Sequence, residues 1–155
     1  MIGDLTVTEN LALGLGRRLS GVGRYLIDWA RAESHVGQVL RDYQIMASGP
    51  KARAASLSGG NQQKLIIARA LAQGPDLLVL ENPSRGLDFR ATEEIYARLR
   101  ESAAKGCAVV IWSGDLDEVM ELSDRIVVVY RGEMRLAPPA ASRKLVGEMM
   151  LGLNR

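Results

Sequence analysis

Cysteine is all but missing from this sequence. Cys107 is the only one, which excludes an internal disulfide framework and fits a reducing cytosol. It stands just before an apolar strand and reads as packing, not as a nucleophile. Histidine is equally scarce: His35 is alone, in an amphipathic segment with no second ligand type clustered beside it, so a metal role is not expected for it. Long apolar runs are lacking too. No segment approaches the ~18 uninterrupted apolar residues of a membrane span, and the opening MIGDLTVTEN is too polar for a signal peptide. Nor is there an excess of charge of one sign. The net charge is +2, with lysine and arginine dispersed. No basic stripe forms of the kind that grips a phosphate backbone, and nucleic acid is not an expected partner. The chain contains no internal repeat and no low-complexity tract.

What is present suits a soluble globular protein. The 155 residues are 47% apolar and 25% charged, enough for a sizeable core that buries roughly 70% of the unfolded surface. Residues 5–13 suggest a short turn and helix, with Thr6 or Thr8 as its cap and Glu9 near its start. Residues 14–23, GLGRRLSGVG, read as a glycine-rich, basic surface loop. Over 24–47, apolar residues recur at helical spacing, among them Leu26, Trp29, Val36, Val39, Leu40 and Tyr43. Gly49 and Pro50 end that segment, and a linker runs to Ser56.

Beyond Leu57 the pattern changes. A helix over 58–73 stops at Gly74-Pro75, followed by a strand over 76–80, a loop over 83–86 and a helix over 88–104. A strand over 107–112, a short helix over 115–122 and a strand over 125–130 come next. Arg131-Gly132 turn the chain into EMRL, and Pro138-Pro139 precede a last helix over 141–150. Fully apolar strands alternating with helices imply parallel strands covered on both faces. The chain is therefore expected to be helical in its first part and α/β in its second. Its parts are 1–56, 57–137 and a helical tail over 138–155.

Two stretches carry chemistry. LSGGNQQK, Leu57 to Lys64, places a serine and two glycines at a helix start. The first N–H groups of a helix lack internal partners and carry partial positive charge, and glycine lets a ligand approach the backbone. An anion site and an ordinary capped helix both fit those residues taken alone. The second stretch is the end of LLVL, where Glu81 and Asn82 stand at the carboxyl end of a strand, the place where open parallel sheets bind ligands.

Taken in order, these motifs resemble the nucleotide-binding domain of ABC transporters. LSGGNQQK matches the signature motif, LLVLEN the Walker B strand, RGLD the D-loop, and Ser113–Asp115 the switch position. LTVTENLAL, NPSRGLD, DLDEVMELSDRI and VYRGEM extend the likeness from about Leu5 to Met134. Together they are similar to the C-terminal half of the fused two-domain ATPase subunits of bacterial simple-sugar and nucleoside importers. The resemblance implies an α/β fold that is a partial P-loop NTPase (ABC ATPase) domain, a helical subdomain followed by mainly parallel strands alternating with helices.

Departures from the family pattern are as informative. No GxxxxGK[ST] Walker A loop and no Q-loop occurs in the chain. By the family's order both would precede Met1, so the chain is expected to be a fragment. The family's Walker B usually ends in aspartate and a catalytic glutamate. Glu81 and Asn82 stand there instead, and an amide cannot take a proton from water, a service worth ~10²–10⁴ in rate. Glu81 could still hold Mg²⁺ weakly, through water. Gly114 replaces the switch histidine.

What the resemblance implies is a division of labour. Ser58, Gly59, Gly60 and Gln62 would meet the γ-phosphate of ATP held by a second ABC ATPase domain, while this domain's own site is degenerate. In the D-loop (Arg85, Gly86, Leu87 and Asp88), Asp88 would signal between the sites, and Arg85 reads equally as a surface ion-pair residue. ATP and Mg are the implied cofactors of the assembly, with neither held tightly by this chain alone. Membrane permease subunits are the further partners, at the inner face of the cell membrane in the cytoplasm. Without a Walker A strand, the isolated chain is expected to self-associate through uncovered apolar strands. A non-transport ABC-type ATPase fragment and a catalytically silent interaction domain stay open at this point.

Overall fold

The computed structural model describes residues 1–15 and 26–153. Most of the basic, glycine-rich stretch expected to be a loop lies outside the described residues. The chain divides into two compact units, one made of residues 1–78 with 84–109 and the other of 79–83 with 110–155.

In the first unit, helix α1 (Val7–Leu15) starts from a capping box. Thr6 Oγ1 accepts the Glu9 N–H at 3.1 Å, and Glu9 Oε2 accepts the Thr6 N–H at 2.7 Å. Thr6 is thus the cap. Thr8 instead donates its hydroxyl to the Pro50 carbonyl at 2.9 Å. These bonds hold the Glu9 carboxyl below its ordinary pKa, the Thr6 backbone N–H contributing most. Asn10 is buried, and its amide donates to the Ile2 carbonyl at 2.9 Å while its oxygen accepts the Ile2 N–H at 3.0 Å.

Helix α2 (Trp29–Asp42) is capped by Asp28, which accepts the Arg31 N–H at 3.0 Å, and buries Ala32, Val36 and Val39 along one stripe. It ends well short of residue 47. Gln44 takes a left-handed φ of 49°, Ile45 N–H reaches the Leu40 carbonyl at 2.8 Å and Gln44 N–H reaches Arg41 at 3.1 Å. That is a Schellman termination, made here by glutamine rather than glycine. Ile45 then turns into the core with Val7, Leu11, Val36, Leu57 and Leu65.

A single 3-10 turn, Ala54–Ser56, delivers the chain to helix α3 (Gly59–Leu71), which buries Leu65, Ile67 and Ala68. Helix α4 (Phe89–Ala104) starts at the Asp88 cap and buries Ala91, Ile95, Tyr96 and Leu99. A half-buried ion pair, Lys64 with Glu94, joins α3 to α4.

Strands β1 (Leu77–Glu81) and β2 (Ala108–Trp112) form a two-stranded sheet. Ala108 N–H bonds Asp76 at the start of the pair and Asn82 N–H bonds Trp112 at its end, both at 2.8 Å, so the strands run parallel, as expected.

The second unit continues with helix α5 (Leu116–Leu122), strands β3 (Val127–Tyr130) and β4 (Glu133–Leu136), and helix α6 (Arg143–Met150). Here the topology departs from a run of parallel strands. Among the described residues β3 pairs only with β4, and the pair is antiparallel, Val127 opposite Leu136 and Tyr130 opposite Glu133. The reason lies in the turn: Arg131 and Gly132 both have positive φ, 49° and 83°, the type I′ geometry that folds a chain straight back. Val128, Ala137 and Val146 form this unit's core, with Leu116, Met120 and Ile126 against it.

The strands are not covered on both faces. Val79, Val110 and Trp112 are more than half exposed. On the β3–β4 hairpin, Val127, Val129, Met134 and Leu136 share one face by register, and each is about half exposed or more. The apolar run of each strand reflects surface left open on one side. Among the described residues no helix is long and apolar enough to cross a membrane.

Helices α5 and α6 are joined by Arg143, whose Nε and Nη2 donate to the two Asp117 carboxylate oxygens at 2.7 and 3.0 Å. The pair depresses the Asp117 pKa, chiefly through those hydrogen bonds. A carboxyl with a depressed folded pKa contributes its stability above the unfolded pKa and loses it as pH falls through the folded one. Both groups are exposed, so the effect on stability is small. Arg143→Gln is expected to return the Asp117 pKa to the ordinary aspartate range, read by NMR titration of its side-chain carboxyl.

Candidate functional site

The sequence-derived site residues fall in both units. At the start of α3, Ser58 is the N-cap. Its Oγ accepts from the Asn61 backbone N–H at 3.4 Å and from Asn61 Nδ2 at 2.9 Å. With its oxygen used as an acceptor, the hydroxyl retains its proton for an outward donation. Gln62 N–H makes the first intrahelical bond, to the Ser58 carbonyl at 2.9 Å. The Gly59 and Gly60 N–H groups have no such partner, as expected for the first turn of a helix. A Cβ on Gly59 would meet nothing within 4 Å, whereas one on Gly60 would lie 3.4 Å from Leu87 Cδ2. The first turn of α3 thus presents two backbone donors, one hydroxyl and open space, an arrangement suited to an anion.

Gln62 is used differently. Its Nε2 donates inward to the Leu57 carbonyl at 3.0 Å and the Ala54 carbonyl at 3.3 Å. Only its carbonyl oxygen is left to face a ligand, and that oxygen repels phosphate. Asn61, which sequence reasoning passed over, is the better-connected amide. Its position three residues after a serine cap is that of the polar partner in a capping box, a signal carried by the spacing of the residues alone.

In the loop after β1, Arg85 and Gly86 are exposed, Gly86 has φ 76°, and Leu87 N–H bonds the Ser84 carbonyl at 3.1 Å. Leu87 lies against Gly60, and Asp88 spends its carboxylate on the α4 cap, accepting the Ala91 N–H at 2.8 Å.

In the second unit, Glu81 is exposed at the end of β1. Among the described residues no group of three or more His, Cys, Asp or Glu gathers as it would around a metal ion. Asn82 is left-handed, with φ 45°. Its Oδ1 accepts the Gly114 N–H at 3.4 Å, and its own N–H is bonded to Trp112. Pro83 behind it is fully buried. Asn82 and Gly114 are thus brought together, as a clasp between the end of β1 and the Ser113–Asp115 turn. Asp115 caps α5, accepting the Asp117 N–H at 2.9 Å.

A family model described as ABC transporter matches residues 1–85. The chain belongs to the ABC transporter family. It is 37% identical over 153 residues to the nucleoside import ATP-binding protein NupA of Lactococcus lactis subsp. cremoris (strain MG1363), a match covering 97% of this chain and 30% of that protein. It is 36% identical over 150 residues to the ribose import ATP-binding protein RbsA of Bacillus subtilis (strain 168), covering 97% of this chain and 30% of that one. The chain thus spans about a third of the length of these curated relatives. Among solved structures, a dimeric ATP-binding cassette in a post-hydrolysis state, bound to ADP and Pi, superposes with a TM-score of 0.71 at 25% identity, over 88% of this chain and 58% of that one. An ATP-binding subunit of an ABC transporter, 22% identical, matches in fold with a TM-score of 0.73, over 97% of this chain and 64% of that one. The α/β architecture is part of an ABC-type P-loop NTPase domain.

Asn82 tests the clasp. A β-branched residue at a left-handed φ costs roughly 1–2 kcal/mol, and the bond to Gly114 is lost with the amide. Asn82→Val is expected to destabilise the second unit by at least that amount in urea unfolding, whereas Asn82→Gly keeps the backbone and loses less.

Proposed function

We propose that this chain is part of the ATP-binding subunit of an ABC importer for simple sugars or nucleosides, and that it lends its signature to a site completed by a second ABC ATPase domain. The observation that carries this reading is the contrast between two loops. Ser58, Gly59 and Gly60 leave a hydroxyl and two backbone N–H groups for a ligand, with open space over Gly59, while Asn82 holds an amide where a general base would stand and binds it to Gly114. The relatives named for nucleoside and ribose import support the transport role. The dimeric cassette with ADP and Pi supports a paired arrangement. ATP and Mg²⁺ would be held chiefly by the partner domain's phosphate loop. There the Ser58 hydroxyl and the Gly59 and Gly60 N–H groups would stabilise charge on the terminal phosphate, and Gln62 would serve mainly to brace the loop. Asp88 would act through its α4 cap, coupling the D-loop to Leu87 and Gly60. Permease subunits in the cell membrane would bind the assembly on its cytoplasmic face.

A second reading applies to the 155-residue chain alone. The hairpin row Val127, Val129, Met134 and Leu136, with Val79, Val110 and Trp112, gives it exposed apolar strand surface beyond what a monomer usually shows. Such a chain would act as an interaction module, pairing with copies of itself or with a complementing segment.

Two outcomes are expected. In the assembled transporter, Gly59→Leu should fold normally, since its side chain enters open space, yet reduce ATP turnover on the order of 10²-fold by blocking the donors. Asn82→Gln and Glu81→Gln should change turnover by no more than about twofold, since the general-base service worth ~10²–10⁴ is already missing. Equal losses from both classes would refute the asymmetric site. For the isolated chain, light scattering over a concentration series should show association that Val129→Lys with Met134→Lys reverses, and a concentration-independent monomer would exclude the second reading.

A further inference from the structure

The Asn61 carboxamide is engaged at both ends. Its Oδ1 accepts the Met46 N–H at 2.9 Å, and its Nδ2 donates to Ser58 Oγ at 2.9 Å. Turning the amide over would set Nδ2 against the Met46 N–H, donor against donor, and lose that bond, while the Ser58 hydroxyl would have to turn its proton inward to Oδ1. The Met46 N–H therefore fixes which way the amide points. The amide in turn makes Ser58 Oγ an acceptor on its protein side, so the hydroxyl's one proton is directed away from Asn61.

The segment that supplies this N–H is itself held in place. Ile45 is buried, Arg98 Nη2 donates to the Asp42 carbonyl, and the Arg98 guanidinium sits 5.1 Å from the centre of the Tyr43 ring. Asn61 is thus braced against a segment anchored by α4, and the capping oxygen of the signature is oriented in advance of ligand binding. Such advance orientation is what makes a hydrogen-bond donor effective toward developing charge.

We propose that Asn61 is a positioning residue for the signature serine, holding Ser58 as an outward donor to a terminal phosphate oxygen of the nucleotide carried by the partner domain. This rests on the in-trans role proposed above. The test is a double-mutant cycle on ATP turnover by the assembled two-domain ATPase, with Ser58→Ala and Asn61→Ala, paired with amide exchange at Met46 in the 155-residue chain. Each single variant is expected to lower turnover at saturating ATP by about 10-fold or more, with the KM for ATP unchanged, because the partner's phosphate loop holds the nucleotide. The double variant should match Ser58→Ala within about twofold, since Asn61 acts only through Ser58. Met46 exchange should speed up roughly 2- to 10-fold in Asn61→Ala and stay at the wild-type rate in Ser58→Ala. Multiplying losses in the double variant, wild-type turnover in Asn61→Ala, or unchanged Met46 exchange would each overturn the positioning role while leaving the signature reading intact. Wild-type turnover in Ser58→Ala would overturn both.

Discussion

The first two turns of α3 have to do two opposed things: stay open at the tip and be immovable at the base. Side-chain bonds resolve the conflict. Gln62 ties the helix to the 3-10 turn before it, through the Ala54 and Leu57 carbonyls. Asn61 ties it to Met46. Lys64 ties it to Glu94 on α4, in a setting dry enough for the pair to count for more than a surface bridge. Only one turn further on do Leu65 and Ala68 enter the core. Three long polar side chains thus replace burial where burial would close the loop. The open first turn at Ser58, Gly59 and Gly60 depends on that substitution.

The same logic explains which parts could be read from residues alone. Caps are local, so a serine at 58 and a threonine at 6 or 8 pointed to the starts of α3 and α1, and the parallel pairing of β1 with β2 follows from apolar runs separated by a helix. The end of α2 was hidden because a glutamine, not a glycine, adopts the left-handed residue of its termination. The fate of β3 was hidden too. Arg131-Gly132 is visibly a turn, but only its two positive φ values turn β4 back to pair with β3 antiparallel. In the candidate site, residue types were legible and partners were not. Nothing in LSGGNQQK says that Gln62 points inward or that Asn61 reaches Met46, because the Ala54 and Met46 partners lie in segments that precede the motif in the chain.

The two loops also differ in how their polar groups are employed. At the start of α3, side chains satisfy one another and leave backbone donors unused. After β1, the side chain of Asn82 is turned onto the Gly114 backbone. Donors left over are open to a ligand or to water, whereas the Gly114 donor is taken up within the chain.

The residue that follows Asn82 has a slower consequence. Asparagine ages in proteins when the next residue's backbone nitrogen attacks the side-chain amide, closing a cyclic imide that reopens as aspartate or isoaspartate. Here the next residue is Pro83, which carries no N–H for that attack, and it is fully buried. The imide route is closed to the amide at this position. However old the molecule, a carboxylate will not form there by spontaneous deamidation along that route, so ageing by that route leaves the loop's charge as the chain was made.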